Sequence, residues 1–264
     1  ISQMKNLISL QFHGKISNIA AHLNNLQQLE ILELSGLDST MYSGGLNYPI
    51  QHIAPLTLPN LTTLKIANYT GTNLEEIFNA LHNLKSLALE KINHYDILPT
   101  AANKFLTHIK LYHTEFSDFS QVQANMKSFD AYFCANINKE SIQTISTWTQ
   151  LDELRLKYIS DSVDTLPESL KNLNLSILNL NHIRLKQIPD FIGEMKALKV
   201  LYLDGLYVDG IPNSIAFLPN LQYLSIDSTT FKYKLADDFR NLKIKQLRMF
   251  MSKFAGNNMK QELY

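Results

Sequence analysis

The sequence predicts an α/β fold: a right-handed solenoid with about eleven parallel strands on its concave face and helices or short 3-10 turns on its convex side. Three observations carry that prediction. A six-residue apolar phrase recurs through the whole chain, from Leu7 to Met249. Its step is nearly constant, at 22, 32, 23, 22, 20, 25, 24, 23, 23 and 23 residues. Each interval between phrases is long enough for one return segment and too short for a domain of its own.

The phrases begin at Leu7, Leu29, Leu61, Leu84, Leu106, Met126, Leu151, Leu175, Leu198, Leu221 and Ile244. In "LKVLYL" the apolar residues Leu198, Leu201 and Leu203 are spaced by three and then by two. A helix asks for three and four, and a half-buried strand for two and two. Both intervals fit a strand whose last two apolar residues alternate with exposed ones, preceded by a residue where the chain turns in from its return segment. One such unit cannot bury its apolar side alone. Neighbouring units must stack and share a core.

On these residues the chain resembles the leucine-rich repeat family, whose unit of about 20–29 residues carries a short strand and a return. The segments "IPDFIGEMKALKVLYL" at 188 and "IPNSIAFLPNLQYLSI" at 211 are similar to the subgroup with a proline-marked return, and "LPESLKNLNLSIL" at 166 is one residue shorter. The resemblance covers essentially the whole chain. It departs from the family three residues after each phrase, where Asn or Cys normally ties the next loop together. That slot holds Lys15, Leu37, Tyr69, Ile92, Thr114, Cys134, Ile159, Ile183, Leu206, Thr229 and Ser252. Without asparagine there, the usual side-chain ladder is not expected to form.

Three returns read as helices. Residues 18–26 place Ile19, Leu23 and Leu26 on one stripe, and residues 73–84 do so with Leu74, Ile77, Phe78 and Leu81. In residues 138–151, Asn138 is a candidate cap and Ile142, Ile145 and Trp148 face inward. The proline-marked returns read as turns of tighter helix. The 32-residue step leaves about nine extra residues between Leu29 and Leu61, and Gly44, Gly45 and Pro49 mark a protruding loop around 37–50. No linker or composition shift divides residues 1–264, so they read as one repeat domain. The chain starts inside a repeat, which suggests a fragment of a longer protein.

Lys and Arg number 24, as do Asp and Glu, giving a formal net charge of zero. That balance argues against nucleic acid or an anionic membrane as partner. No run of about twenty apolar residues is present, and the first residues do not form a signal peptide. A single cysteine, Cys134, excludes an internal disulfide and favours a reducing compartment or a bacterial origin. It occupies the family's Asn/Cys slot and is expected to be buried and inert. The eight histidines form no metal spacing, and no phosphate loop, dinucleotide fingerprint or nucleophile elbow is present. No catalytic residue, cofactor, metal or small-molecule substrate is therefore assigned.

The remaining signal is the outward side of the strands. Its candidate partner-binding residues are His108, Lys110, Tyr112, Asp130, Tyr132, Glu153, Arg155, Lys157, Tyr202, Asp204 and Tyr223. Ser128, Asp227, Arg248 and Phe250 continue the same face. Tyrosine, arginine and mixed charge on a rigid sheet suit a protein partner. The resemblance implies a protein–protein interaction module, similar to the recognition domains of secreted bacterial effectors that bind host proteins. Such a protein is soluble, made in the bacterial cytoplasm and delivered to the host's. Two alternatives stay open: the substrate-selecting part of an enzyme whose catalytic domain lies elsewhere, or the sensing region of an intracellular immune receptor.

Overall fold

The computed structural model describes residues 3–15, 20–37, 48–232 and 237–254. Eleven short strands form one parallel sheet in chain order. They are β1 (Ser9–His13), β2 (Ile31–Ser35), β3 (Thr63–Tyr69), β4 (Ser86–Ile92), β5 (His108–Tyr112), β6 (Ser128–Tyr132), β7 (Glu153–Lys157), β8 (Ile177–Asn179), β9 (Val200–Tyr202), β11 (Tyr223–Ser225) and β13 (Gln246–Arg248). A second sheet the sequence analysis did not anticipate joins β10 (Tyr207–Val208), β12 (Thr230–Phe231) and β14 (Lys253–Phe254), also in parallel. The chain divides into two compact units, residues 1–129 and 130–264.

In the first unit the register follows the sequence phrase. Leu10 lies opposite Leu32, then come Leu64, Leu87 and Ile109, each the second apolar residue of its phrase. Leu32, Leu64, Leu87 and Ile109 are fully buried. A leucine so buried contributes about 1.5–3 kcal/mol relative to exposure. Two α-helices return the chain here. α1 (Ala20–Leu23) is followed by buried Leu26, while α2 (Leu74–Asn79) buries Leu74, Ile77 and Phe78, with Leu81 beyond it. Ile19 and residues 38–47 of the insertion lie outside the described residues. The two ends of that insertion come together through an antiparallel bridge between Leu37 and Tyr48.

In the second unit the same column runs Leu154, Leu178, Leu201, Leu224 and Leu247. Its helix α3 (Lys139–Ile145) starts at Asn138, whose side chain accepts from the Ser141 amide at 2.9 Å, while the Asn138 backbone amide donates to the Ser141 hydroxyl oxygen. This is the expected cap, and Ile142, Ile145 and Trp148 are buried as the stripe predicts. After Pro167, Pro189 and Pro212 the returns are 3-10 turns, Glu168–Asn172, Asp190–Glu194 and Asn213–Phe217. Proline fits there because its ring fixes φ at the entry and it lacks an N–H that would go unsatisfied. Cys134 is fully buried, with its Sγ 3.4 Å from the Tyr132 carbonyl.

Two cross-repeat ties replace the absent asparagine slot. In the second unit, slot residue Thr229 donates its hydroxyl to the Leu203 carbonyl of the preceding repeat at 2.6 Å, and Ser252 donates to Ile226 in the same way. The expectation that no ladder forms is corrected to this extent: hydroxyls make it at these two steps. The other tie sits where the return enters the strand. Asn60, Asn83 and Asn125 donate to the carbonyls of Gln27, Pro59 and Lys104 in the first unit, and Asn220 to Lys196 in the second, at 2.7–3.0 Å. Each stands one residue before its phrase.

A further column turns the chain out of each strand. Seven residues after the phrase begins, the backbone is left-handed at Asn68, Lys91 and His113 in the first unit. The second unit repeats it at Phe133, Tyr158, His182, Gly205, Ser228 and Met251, and φ is between 50° and 67° throughout. Non-glycine residues resist this region by about 1–2 kcal/mol. In the second unit stacking opposes that cost. Phe133 and Tyr158 rings stack at 4.5 Å, and Tyr158 and His182 at 4.3 Å with only 7° between planes. The stack ends at Gly205, where a Cβ would sit 2.0 Å from His182 Nδ1.

Candidate partner-binding face

In a strand, alternate side chains leave the core, so each repeat presents three outward positions. Of the first unit's predicted site residues, His108, Lys110 and Tyr112 are all exposed. His108 Nδ1 lies 2.8 Å from the Thr107 hydroxyl, and the Tyr112 ring meets His113 edge-on at 4.6 Å. Lys65 and Glu90 form a 3.4 Å ion pair on the same side of β3 and β4.

The second unit holds the rest. Arg155, half-buried on β7, directs Nη1 to Asp130 at 3.0 Å and to Glu153 at 2.8 Å. Desolvation works against its charge, but the bonds to Glu153 and Asp130 outweigh that and push its pKa up. Lys157 stands 5.5 Å from the centre of the Tyr132 ring, which also meets Phe133 and Tyr158 edge-on. Tyr202 and Tyr223 are neighbours at 5.1 Å. Ser128, in the first unit and expected on this face, is instead buried at 6% exposure.

From β8 onward the strands of the eleven-stranded sheet have only three residues. Past the third, backbone amides on the outward edge need another acceptor, and side chains supply it. Asn181 Oδ1 accepts from the Asp204 amide at 2.8 Å, and Asp204 Oδ1 accepts from the Asp227 amide at 2.8 Å. Asp227 accepts in turn from the Phe250 amide and pairs with Arg248. The Ser225 hydroxyl and the Asn181 side-chain Nδ2 also donate to Asp204. Asp204 is half-buried and Asp227, expected on the open face, is buried at 8% exposure, so both are structural.

This ladder walls a polar hollow of about 270 Å³, lined by Arg155, Lys157, Tyr202, Asp204 and Tyr223 from the predicted set. Asn179, Asn181, Ser225 and Arg248 complete it. Sequence reasoning passed over Asn179, Asn181 and Ser225, although their outward phrase positions are the signal that finds them. A larger open groove of about 920 Å³ lies along the turns after the strands, beside Tyr158, His182, Tyr207 and Lys232. There Arg184 pairs with Asp161 at 2.8 Å and Lys232 with Asp209 at 2.7 Å. Burial lowers the His182 pKa, Asp204 partly restores it, and Lys157 lowers it further. Among the described residues no group of three or more His, Cys, Asp or Glu side chains is arranged to hold a metal ion, and no helix is long and apolar enough to cross a membrane.

No family model and no curated protein matches the sequence. Solved structures do. An internalin (InlF) from Listeria monocytogenes aligns with a TM-score of 0.61 at 21% identity, over 91% of this chain and 71% of its own. The LRR ectodomain of the plant membrane receptor kinase GASSHO1/SCHENGEN3 from Arabidopsis thaliana, in complex with CASPARIAN STRIP INTEGRITY FACTOR 2, aligns at 0.51 and 18% identity, over 96% and 40%. The fold is that of the leucine-rich repeat proteins. The functional domain of InlJ from Listeria monocytogenes, which includes a cysteine ladder, shares this leucine-rich repeat fold at 0.59 and 13% identity, over 97% and 56%. In the present chain, hydroxyls and asparagines tie the repeats together.

Proposed function

We propose that this chain is a protein-recognition module whose partner docks on the outward face of the second unit's strands. One observation supports this reading above others: the large side chains there are held in place before any partner arrives. Arg155 is fixed between Asp130 and Glu153, Tyr132 lies beneath Lys157, and Tyr202 rests on Tyr223. Ordering a long side chain on binding costs about 0.5–1.5 kcal/mol, so groups already ordered lose less. Tyrosine and arginine are also the residues that most often dominate interface energy. His108, Lys110 and Tyr112 offer a similar exposed set on the first unit. The plant receptor ectodomain with the same fold was solved with a bound partner, which fits a recognition role.

The finer reading is a bacterial effector that grips a host protein. Its support is the likeness to two Listeria proteins. The test is affinity for an identified partner, measured for the parent and for Tyr132→Ala, Arg155→Ala and Phe217→Ala, with melts as a folding control. Phe217 is 61% exposed on a return segment, away from the strands. Losses of about 2 kcal/mol or more at Tyr132 and Arg155, with Phe217 silent, are expected. Equal binding by all three variants contradicts the reading.

A further inference from the structure

The groove along the turns after the strands is bounded by backbone as much as by side chains. In the second unit, the segment after each strand bonds to its counterpart one repeat earlier. Lys186 donates its amide to the Asp164 carbonyl, Thr230 to Leu206, Lys232 to Val208 and Lys253 to Thr229, at 2.8–3.0 Å. One step is missing. Among the described residues no backbone bond joins 183–187 to 207–209, and the second sheet stops at β10. Ile183, Leu185, Tyr207 and Asp209 line the groove of about 920 Å³ that lies there.

The groups that face the groove follow from the bonds on its far sides. In a trans peptide the C=O and the next N–H point in opposite directions. The Leu206 and Val208 carbonyls point to β12, so the N–H groups of Tyr207 and Asp209 point away from it, into the groove. The Lys186 N–H points to the preceding repeat, so the Leu185 carbonyl faces the groove from the other wall. Rim charges are already matched, Arg184 to Asp161 and Lys232 to Asp209. What the groove has left to offer is main chain. Its two amides stand two residues apart, the interval of about 6.8 Å at which an extended chain presents carbonyls along one edge. Val208 is fully buried and holds β10 in place, while Tyr207 is 67% exposed beside the opening.

We propose that this groove takes an extended segment of a partner protein, which adds as a strand along the open edge of β10 and accepts hydrogen bonds from the Tyr207 and Asp209 amides. Recognition there is by backbone, with the Tyr207 ring available to a flanking side chain. The site is distinct from the outward face of the strands, and its test does not depend on docking at that face.

Amide exchange and an NMR titration of the whole chain test the proposal. In the free protein the Tyr207 and Asp209 amides should exchange fast, while those of Thr230 and Lys232 are protected. The probe is acetyl-Thr-Val-Thr-Val-amide, a neutral peptide of strand-forming residues. It should shift the Tyr207 and Asp209 amide signals saturably and slow their exchange. Tyr207→Pro removes one of the two donors at an edge position, where proline is tolerated, whereas Tyr207→Thr keeps the donor and removes the ring. Proline should weaken the peptide about tenfold or more, and threonine much less. Slow exchange of both amides in the free protein, no saturable shift at them, or equal weakening by the two folded variants each overturn the proposal.

Discussion

The two units solve one problem by different means. In the first, strands of five to seven residues hold the outward edge with backbone pairing, and short α-helices return the chain. In the later repeats of the second, strands shrink to three residues and the returns tighten to 3-10 turns. The amides that lose a backbone partner there are taken up by Asn181, Asp204 and Asp227. A polar outward face is therefore part of the scaffold in the second unit. In the first it is an addition to a scaffold complete without it.

The largest difference should appear in the left-handed column. Gly205→Val puts a β-branched residue at φ +67° and into the His182 ring. Strain plus the displaced stack should cost about 3 kcal/mol or more, read as a fall in thermal or denaturant stability. Lys91→Gly, at the equivalent place in the first unit, relieves left-handed strain but adds chain entropy. Its stability should stay within about 1 kcal/mol of the parent.

Next comes the ladder. Asp204→Ala removes the acceptor of the Asp227 backbone amide, the Ser225 hydroxyl and the Asn181 side-chain Nδ2, and should cost about 2 kcal/mol or more in urea unfolding. Glu90→Ala in the first unit breaks only a partly exposed pair with Lys65 and should cost about 0.5 kcal/mol or less. Similar losses at both positions would erase the distinction drawn between the units.

A smaller effect concerns pH. His182 has a native pKa below its ordinary 6.5, first because it is partly buried in the stack. The unfolded chain then takes up the proton more readily than the native one. Stability is full above about 6.5 and declines as pH falls through the lowered native value. His182→Gln should flatten that part of the stability profile. An unchanged acid slope in the variant would show that the stack does not carry it.

The inward architecture was legible because apolar spacing is a direct projection of the core. Leu32, Leu64, Leu154 and Leu201 fell where the phrase put them, as did Asn138 at its cap and the prolines before the 3-10 turns. The ladders were not legible, because they depend on which side chain meets which amide one repeat away. Thr229 and Ser252 stood in the slot, but a search for asparagine there did not see that a hydroxyl reaches the same carbonyl. The β10–β12–β14 sheet was hidden for another reason: two-residue strands carry no periodicity. On the outward face, the position of Arg155 was readable and its fixation by Asp130 and Glu153 was not, since that depends on registry between β6 and β7.

The claim that side chains hold the second unit's outward face is tested most directly by amide hydrogen exchange, residue by residue, in the parent and in Asp204→Ala. In the parent the Asp227 amide should be protected alongside Leu203 and Gly205, whose amides bond to the Ser225 and Asp227 carbonyls. In the variant Asp227 should lose its protection while Leu203 keeps most of its own. Fast exchange at Asp227 in the parent, or protection that survives the loss of Asp204, would contradict the account.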